Sequence, residues 1–493
     1  MRDESPQPSQ IVFPIALEPA EYAEEPIAVT TDRWASLEVF VLVQVFWGLL
    51  LFVPGSQSYR TYIRAFPYVA SLVALAVAFA RSSGTDAVVP GARWILAVLV
   101  LLAANLVHDQ TWVMAGSAQI VFQMAIAAPV FWAARVWVTD QRLERLILLI
   151  FAANLVSAAL GLLQVYYPST FLPAEFSSLA SKINPEFVSA MSYVGTAGRV
   201  IIRPPGLSDL PGGAAIAGAF TALLGFALAM RANQRQVLRA VFFASAAVGI
   251  TVVYLTQVRS MLLMILGCML IMALVRLRQG RILQTGWLAA SAGVLVFSSF
   301  VWAVTLGGDV VQERYQSMVD SGVLRTYQDT RGSVLSDAVS RLAFEYPLGA
   351  GLGRWGMMSL YFGDQGNWQY PALYAEIQPT GWIYDGGVLM WVFYPGALLL
   401  AIRYSYKLAT FPGGSLNDLG TMILTIQLLI AGLCFTGPVF NTQLGIMFWL
   451  ATAMLYGCQR TEAAQAWARD VEEENAGAED AGDDFDAAQT GWS

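Results

Sequence analysis

The sequence predicts an all-α, polytopic integral membrane protein with about twelve transmembrane helices. Three observations carry this expectation. Of its 493 residues, 56% are hydrophobic and only 13% charged, with a mean hydropathy of +0.55; a soluble domain carries about a quarter charged residues. The apolar residues gather in stretches of about 20, the length that crosses the hydrocarbon core. Fifteen Trp and nineteen Tyr suit two membrane–water interfaces.

In chain order the stretches lie at 35–54, 66–81, 93–108, 116–135, 143–166, 211–230, 238–256, 259–276, 284–306, 382–402, 418–436 and 440–458. The positive-inside rule orients them. With a cytoplasmic N-terminus, the inward connections carry Arg81 and Arg93; Arg135, Arg142 and Arg145; Arg231, Arg235 and Arg239; Arg276, Arg278 and Arg281; and Arg403 and Lys407. The short outward connections at 108–111 and 437–441 carry no Lys or Arg. Both termini are then cytoplasmic, and two long loops, 167–210 and 307–381, face outward, the periplasm of a bacterial inner membrane.

This reading divides the chain into a disordered cytoplasmic tail (1–33), a transmembrane domain (34–458) and an acidic disordered cytoplasmic tail (459–493). The net charge of −7 owes much to those tails: Glu18, Glu21, Glu24 and Glu25 at one end, and the Glu/Asp/Ala run 472–486 at the other. No nucleic-acid partner is expected. The N-terminus lacks a basic segment leading straight into an apolar core, so no cleaved signal is expected. Cys268, Cys434 and Cys458 lie in or beside apolar spans without CxxC spacing, and neither a disulfide framework nor a metal site is expected.

Arg259 stands out because apolar spans press on it from both sides. A charge at the edge of hydrocarbon costs on the order of 2.5–3.5 kcal/mol unless it finds a partner or water, and the natural partner is an anion. The first outward loop ends in the run 198–213, where Pro204 and Pro205 hold an extended approach and Gly212 and Gly213 lead into a helix. Arg203 is thereby placed near a helix N-terminus, where free N–H groups also favour anions. An interfacial arginine snorkelling to water is the plainer alternative.

The second outward loop is too long to be structureless. Apolar positions at Val334, Leu335, Ala338, Val339, Leu342 and Ala343 predict a helix over 332–346, capped by Ser333 or Ser336 and stopped by Pro347. Gly349, Gly351 and Gly353 then alternate before Arg354 and Trp355, a pattern that lets backbone N–H groups approach a ligand. Trp368, Gln369, Tyr370, Tyr374, Glu376, Gln378, Trp382 and Tyr384 suit sugar rings, or equally an interfacial aromatic belt. Asp385 is expected at the mouth of the next span.

The order of these elements resembles the bacterial O-antigen ligase and polymerase superfamily. An Arg–Pro–Pro–Gly loop enters a span, Val258-Arg259-Ser260 sits between two later spans, and a long outward loop carries a helix, the run 346–355 and the Gly386–Gly387 span. The resemblance covers about 195 to 455. It implies a fold similar to membrane glycosyltransferases with lipid-linked donors. It also implies transfer of sugar from an undecaprenyl pyrophosphate carrier to a saccharide acceptor, without metal or other cofactor, and with inversion for an α-linked donor. Arg203 and Arg259 would clamp the pyrophosphate, with Arg341, Arg354, Gly351, Gly353, Trp355, Gln378 and Asp385 binding substrate. Other polysaccharide-assembly proteins would be partners.

One feature departs from that family. Its ligases carry a His-Asn pair where this chain reads Glu376-Ile-Gln-Pro-Thr-Gly381, and the single histidine, His108, lies on a distant turn. Glu376 is the substitute general base the sequence offers. Arg203–Gly213 and Arg341–Gly351 share one spacing, a residue short of the polymerase pattern. A lipid-linked oligosaccharide flippase or exporter, and a non-enzymatic assembly partner, are the competing readings. The scarcity of charge within the spans favours the enzyme.

Overall fold

The computed structural model describes residues 36–81, 88–173, 191–208, 210–231, 234–322, 325 and 327–489, and these are mostly helical. The N-terminal tail expected over 1–33 lies outside the described residues. A helix occupies each apolar stretch: α1 (Ser36–Phe46), α2 (Arg60–Arg81), α3 (Ala92–Ala104), α4 (Val113–Trp132), α5 (Asp140–Tyr166), α6 (Ala214–Ala229), α7 (Gln236–Thr256), α8 (Arg259–Arg278) and α9 (Ile282–Gly307). After α10 (Asp309–Ser321) come α11 (Gln378–Thr410), α12 (Asn417–Leu433) and α13 (Gln443–Gln489). Seven are long and apolar enough to cross a membrane: α2, α4 with its extension to Arg135, α5, α7, α8, α9 and α11. The apolar helices at Leu37–Phe52, Ala92–Val107, α6 and α12 are shorter.

Burial sorts these helices. Every residue of α6 except Ile216 is buried, as expected of a helix that is apolar all round. Its small side chains let α7 approach closely: a Cβ on Gly249 would lie 2.5 Å from the Gly218 carbonyl oxygen, and one on Gly218 would lie 2.6 Å from that of Gly249. Contact this close is the small-residue packing typical of membrane helices, and it fixes α7 in the core. By contrast α9 leaves Trp287, Val294 and Phe297 exposed, an apolar face suited to lipid.

Several arginines of the connections expected to face inward are paired with carboxylates. Arg142 binds Glu38 at 2.8 Å, Arg231 binds Glu144, and Arg276 and Arg281 share Asp418. Arg276 is 2% exposed, so this pairing spares the core an isolated charge.

Some boundaries differ from expectation. Helix α13 runs on to Gln489, past the end at 458 expected for the last span and through the acidic segment; the Ala and Glu content there favours helix. In the long segment 307–381, helix is already present at Arg325 and Tyr327, before the expected start near Ser333, and the chain stays helical from Tyr327 to Glu345 through two wide π-type turns, Gln328–Gly332 and Ala338–Leu342. Ser333 and Ser336 therefore lie inside the helix, not at its N-terminus. The expected stripe is present, with Ala338 and Leu342 buried against Ala350, Trp355, Ile383 and Tyr384. Helix α10 had no counterpart in the sequence reading. Residues 192–202, before α6, fold back as an antiparallel hairpin, β1 (Ser192–Val194) with β2 (Val200–Ile202), in register Tyr193 to Ile201.

Candidate functional site

Three guanidinium groups from three separate segments share one neighbourhood. Arg203 follows β2; its N–H donates to Met191 O at 2.8 Å, and its carbonyl accepts from Gly212 N at 3.1 Å, just before α6 begins. Arg259 opens α8 after a sharp turn at Gln257, whose φ of 57° is left-handed. Its Nη1 donates to Ser317 Oγ on α10 at 3.4 Å. Arg314, one helical turn before Ser317 on α10, is the third member.

Electrostatics links the three. Burial, then the charges of Arg259 and Arg203, hold the Arg314 guanidinium below the usual arginine range. Arg203 is lowered by burial, partly offset by the Tyr193 and Tyr315 hydroxyls. Like charges disfavour one another's charged forms, so this arrangement costs free energy until an anion arrives. Among the described residues, none of the three has a carboxylate at ion-pair distance, and the buried Arg203 Nε has no hydrogen-bond partner. The Gln257 side chain, 4% exposed, leaves its Nε2 unpartnered as well. The N-terminus of α8 has no side-chain cap, so its dipole also favours negative charge here.

Tyrosines pack around this cluster. Tyr193 and Tyr315 are buried, and burial raises both phenols above their usual range, so they act as hydrogen-bond donors. Tyr315 meets Tyr254 edge to face at 4.9 Å.

The other expected site residues lie elsewhere and are largely satisfied by the protein. Arg341 is exposed and bound to Asp337 through two bonds of 2.7 and 2.8 Å, and to Glu345 at 2.7 Å. Arg354 is 4% exposed and donates to Gln110 Oε1, the Ala350 carbonyl and the Pro371 carbonyl. Its guanidinium ties the loop together and offers no free fork. Glu376 pairs with Arg331 at 3.3 Å, which engages the carboxylate expected to act as base.

Gly351 and Gly353 adopt φ of 89° and 77° to pack on the start of α4, where Cβ atoms would lie 2.5 Å from the Gln110 carbonyl carbon and 2.4 Å from Gly116 N. The N–H of Leu352 goes to Thr111 Oγ1, and that of Gly353 to Gln119 Oε1, both at 2.9 Å. The expected ligand-facing N–H groups are thus used in docking the loop.

Asp385 departs furthest from expectation. Helix α11 begins seven residues earlier, so Asp385 is fully buried within it, beside a break at Gly386 and Gly387. Its Oδ1 accepts from Gln119 Nε2 and Trp355 Nε1, each at 2.5 Å, while Oδ2 has no partner. Gln378 accepts from Phe440 N at 2.9 Å, and its Nε2 is unpartnered. His108 sits on the expected turn, its Nδ1 3.1 Å from Asp109.

Sequence reasoning therefore brought out Arg203 and Arg259 and missed Arg314. The available signal was the run 309–321, with Val311, Tyr315 and Met318 on one helical face. In comparisons with known proteins, no family model matches the chain and no curated protein matches it.

Proposed function

We propose that the protein is a membrane glycosyltransferase that polymerises or ligates undecaprenyl-pyrophosphate-linked oligosaccharide at the periplasmic face, in surface polysaccharide synthesis. The observation that carries this reading is the gathering of Arg203, Arg259 and Arg314 with no carboxylate to neutralise them among the described residues. In such a transfer an acceptor hydroxyl attacks the anomeric carbon, and the bond to the diphosphate breaks. Charge grows on the leaving group, and guanidinium donors already in position stabilise it.

In this reading the chain crosses the bacterial inner membrane about twelve times with both termini cytoplasmic, and the cluster lies at the outer leaflet. The carboxylate-paired Arg142, Arg231, Arg276 and Arg281 then lie on the inner side. The donor is the lipid-linked glycan, the acceptor a saccharide, and other assembly proteins are partners.

The test is Arg259→Lys and Arg259→Ala, with surface polysaccharide profiled in cells at matched protein level. Loss of chain extension or attachment, with lipid-linked substrate accumulating on the periplasmic leaflet, is the expected outcome. Normal polysaccharide in the Ala variant removes the residue from the mechanism.

A second reading, a flippase or exporter, draws on the break in α11. A discontinuous helix with a buried carboxylate beside the break is a feature of transporter substrate sites. Lipid-linked substrate retained on the cytoplasmic leaflet in the Asp385→Asn variant would favour it.

A further inference from the structure

The last carbonyls of a helix have no partner within it. At the end of α7, two accept from tyrosines of distant segments: Tyr193 OH donates to Leu255 O at 3.0 Å, and Tyr315 OH donates at 3.4 Å to Val253 O, which also accepts from Thr256 Oγ1 at 2.8 Å. Tyr315 shares its helix with an arginine of the cluster, and Tyr193 shares its hairpin with another. Tyr193 lies on β1, and the strand pairing together with the Arg203 N–H to Met191 bond fixes Arg203 relative to it. Tyr315 directly follows Arg314 on α10. The third arginine, Arg259, begins α8 two residues beyond Gln257, whose N–H donates to Tyr254 O at 3.0 Å.

Three segments that are far apart in the chain thus converge on one helix end. From this convergence we infer that Tyr193 and Tyr315 are positioning residues, whose hydroxyls use the α7 terminus as a common reference and hold Arg203 and Arg314 in register with Arg259. The inference rests on the anion-clamp reading above. An aromatic ring alone would fill the same space, so the role belongs to the hydroxyl.

The experiment measures binding of inorganic pyrophosphate to the full chain in detergent, for wild type, Tyr193→Phe, Tyr315→Phe, Arg203→Ala and Arg314→Ala, and for the pairs Tyr193→Phe/Arg203→Ala and Tyr315→Phe/Arg314→Ala. Each Phe variant keeps the ring and should weaken binding by roughly three- to tenfold, the scale of one lost hydrogen bond. The effect of Tyr315→Phe should vanish in the Arg314→Ala background, and that of Tyr193→Phe in the Arg203→Ala background, because each tyrosine acts through its arginine.

Unchanged affinity in both Phe variants, or losses that persist in full in the alanine backgrounds, would reduce the tyrosines to core filling while leaving the clamp intact. A wild-type protein that binds no pyrophosphate would remove the clamp, and this inference with it. If Tyr193→Phe fails to fold, as judged by size-exclusion profile, the Tyr315 cycle decides.

Discussion

Two sets of arginines in this protein differ in what surrounds them. Arg341, Arg354 and Arg276 each have their donors taken up by the protein, through Asp337 and Glu345, through Gln110 and backbone carbonyls, and through Gln279 and Asp418 respectively. Arg203, Arg259 and Arg314 crowd one another, and among the described residues none has a carboxylate at ion-pair distance. The first set has its donors engaged, by carboxylates at Arg341 and Arg276 and by neutral oxygens at Arg354. The second is incomplete, and the missing component is negative charge. Residue type does not separate the two sets; the company each guanidinium keeps does.

The comparison breaks first at Arg259. Arg259→Ala should lower transfer by roughly 10²–10³-fold, the usual cost of losing one preorganised donor at a developing anion, with little change in unfolding midpoint. A stability loss as large as the activity loss would place Arg259 with the structural set.

Next comes Asp418→Ala, which leaves Arg276 buried without its carboxylate and should destabilise by about 3 kcal/mol. Thermal unfolding in detergent checks this, and pyrophosphate affinity of the protein that remains folded should not change.

Arg354→Ala should cost about 2 kcal/mol by leaving the Ala350 and Pro371 carbonyls and the Gln110 amide without their donor. Arg354→Lys should recover little of this, because an ammonium cannot reproduce the planar fork. Wild-type stability with lost transfer would instead return Arg354 to the substrate site.

The smallest effect belongs to Arg341→Ala, whose exposed pair should lower the unfolding midpoint only slightly at neutral pH. Arg341 holds the Asp337 carboxyl below its usual range. Whatever this pair contributes is therefore complete above the ordinary aspartate pKa and disappears as pH falls through the lowered one. Acid titration of wild type against the Arg341→Ala variant reads the difference.

Much of the fold was legible because apolar length and periodicity are local signals. The spans, the stripe through Ala338 and Leu342, and the isolation of Arg259 could all be read along the chain. Arg314 could not: on α10 it looks like any surface charge, and its significance comes from Arg203 and Arg259 approaching from other segments. The alternating glycines were read as a ligand loop because their left-handed backbone is the same whether the close neighbour is a ligand or, as here, the start of α4. Asp385 was misplaced because helix α11 begins at Gln378, within a polar run whose helicity depends on packing against α4 and the segment around Phe440.

The sequence by itself determined that the chain is mostly helical, with helices long and apolar enough to cross a membrane, since a run of about 20 apolar residues needs no distant partner to span one. It also marked Arg259 as a charge in need of a counterion. Only the tertiary structure decided which arginines remain without one. Pairing depends on distances between residues far apart in sequence, and a guanidinium's free energy is set by whichever groups the folded chain brings within a few ångströms of it.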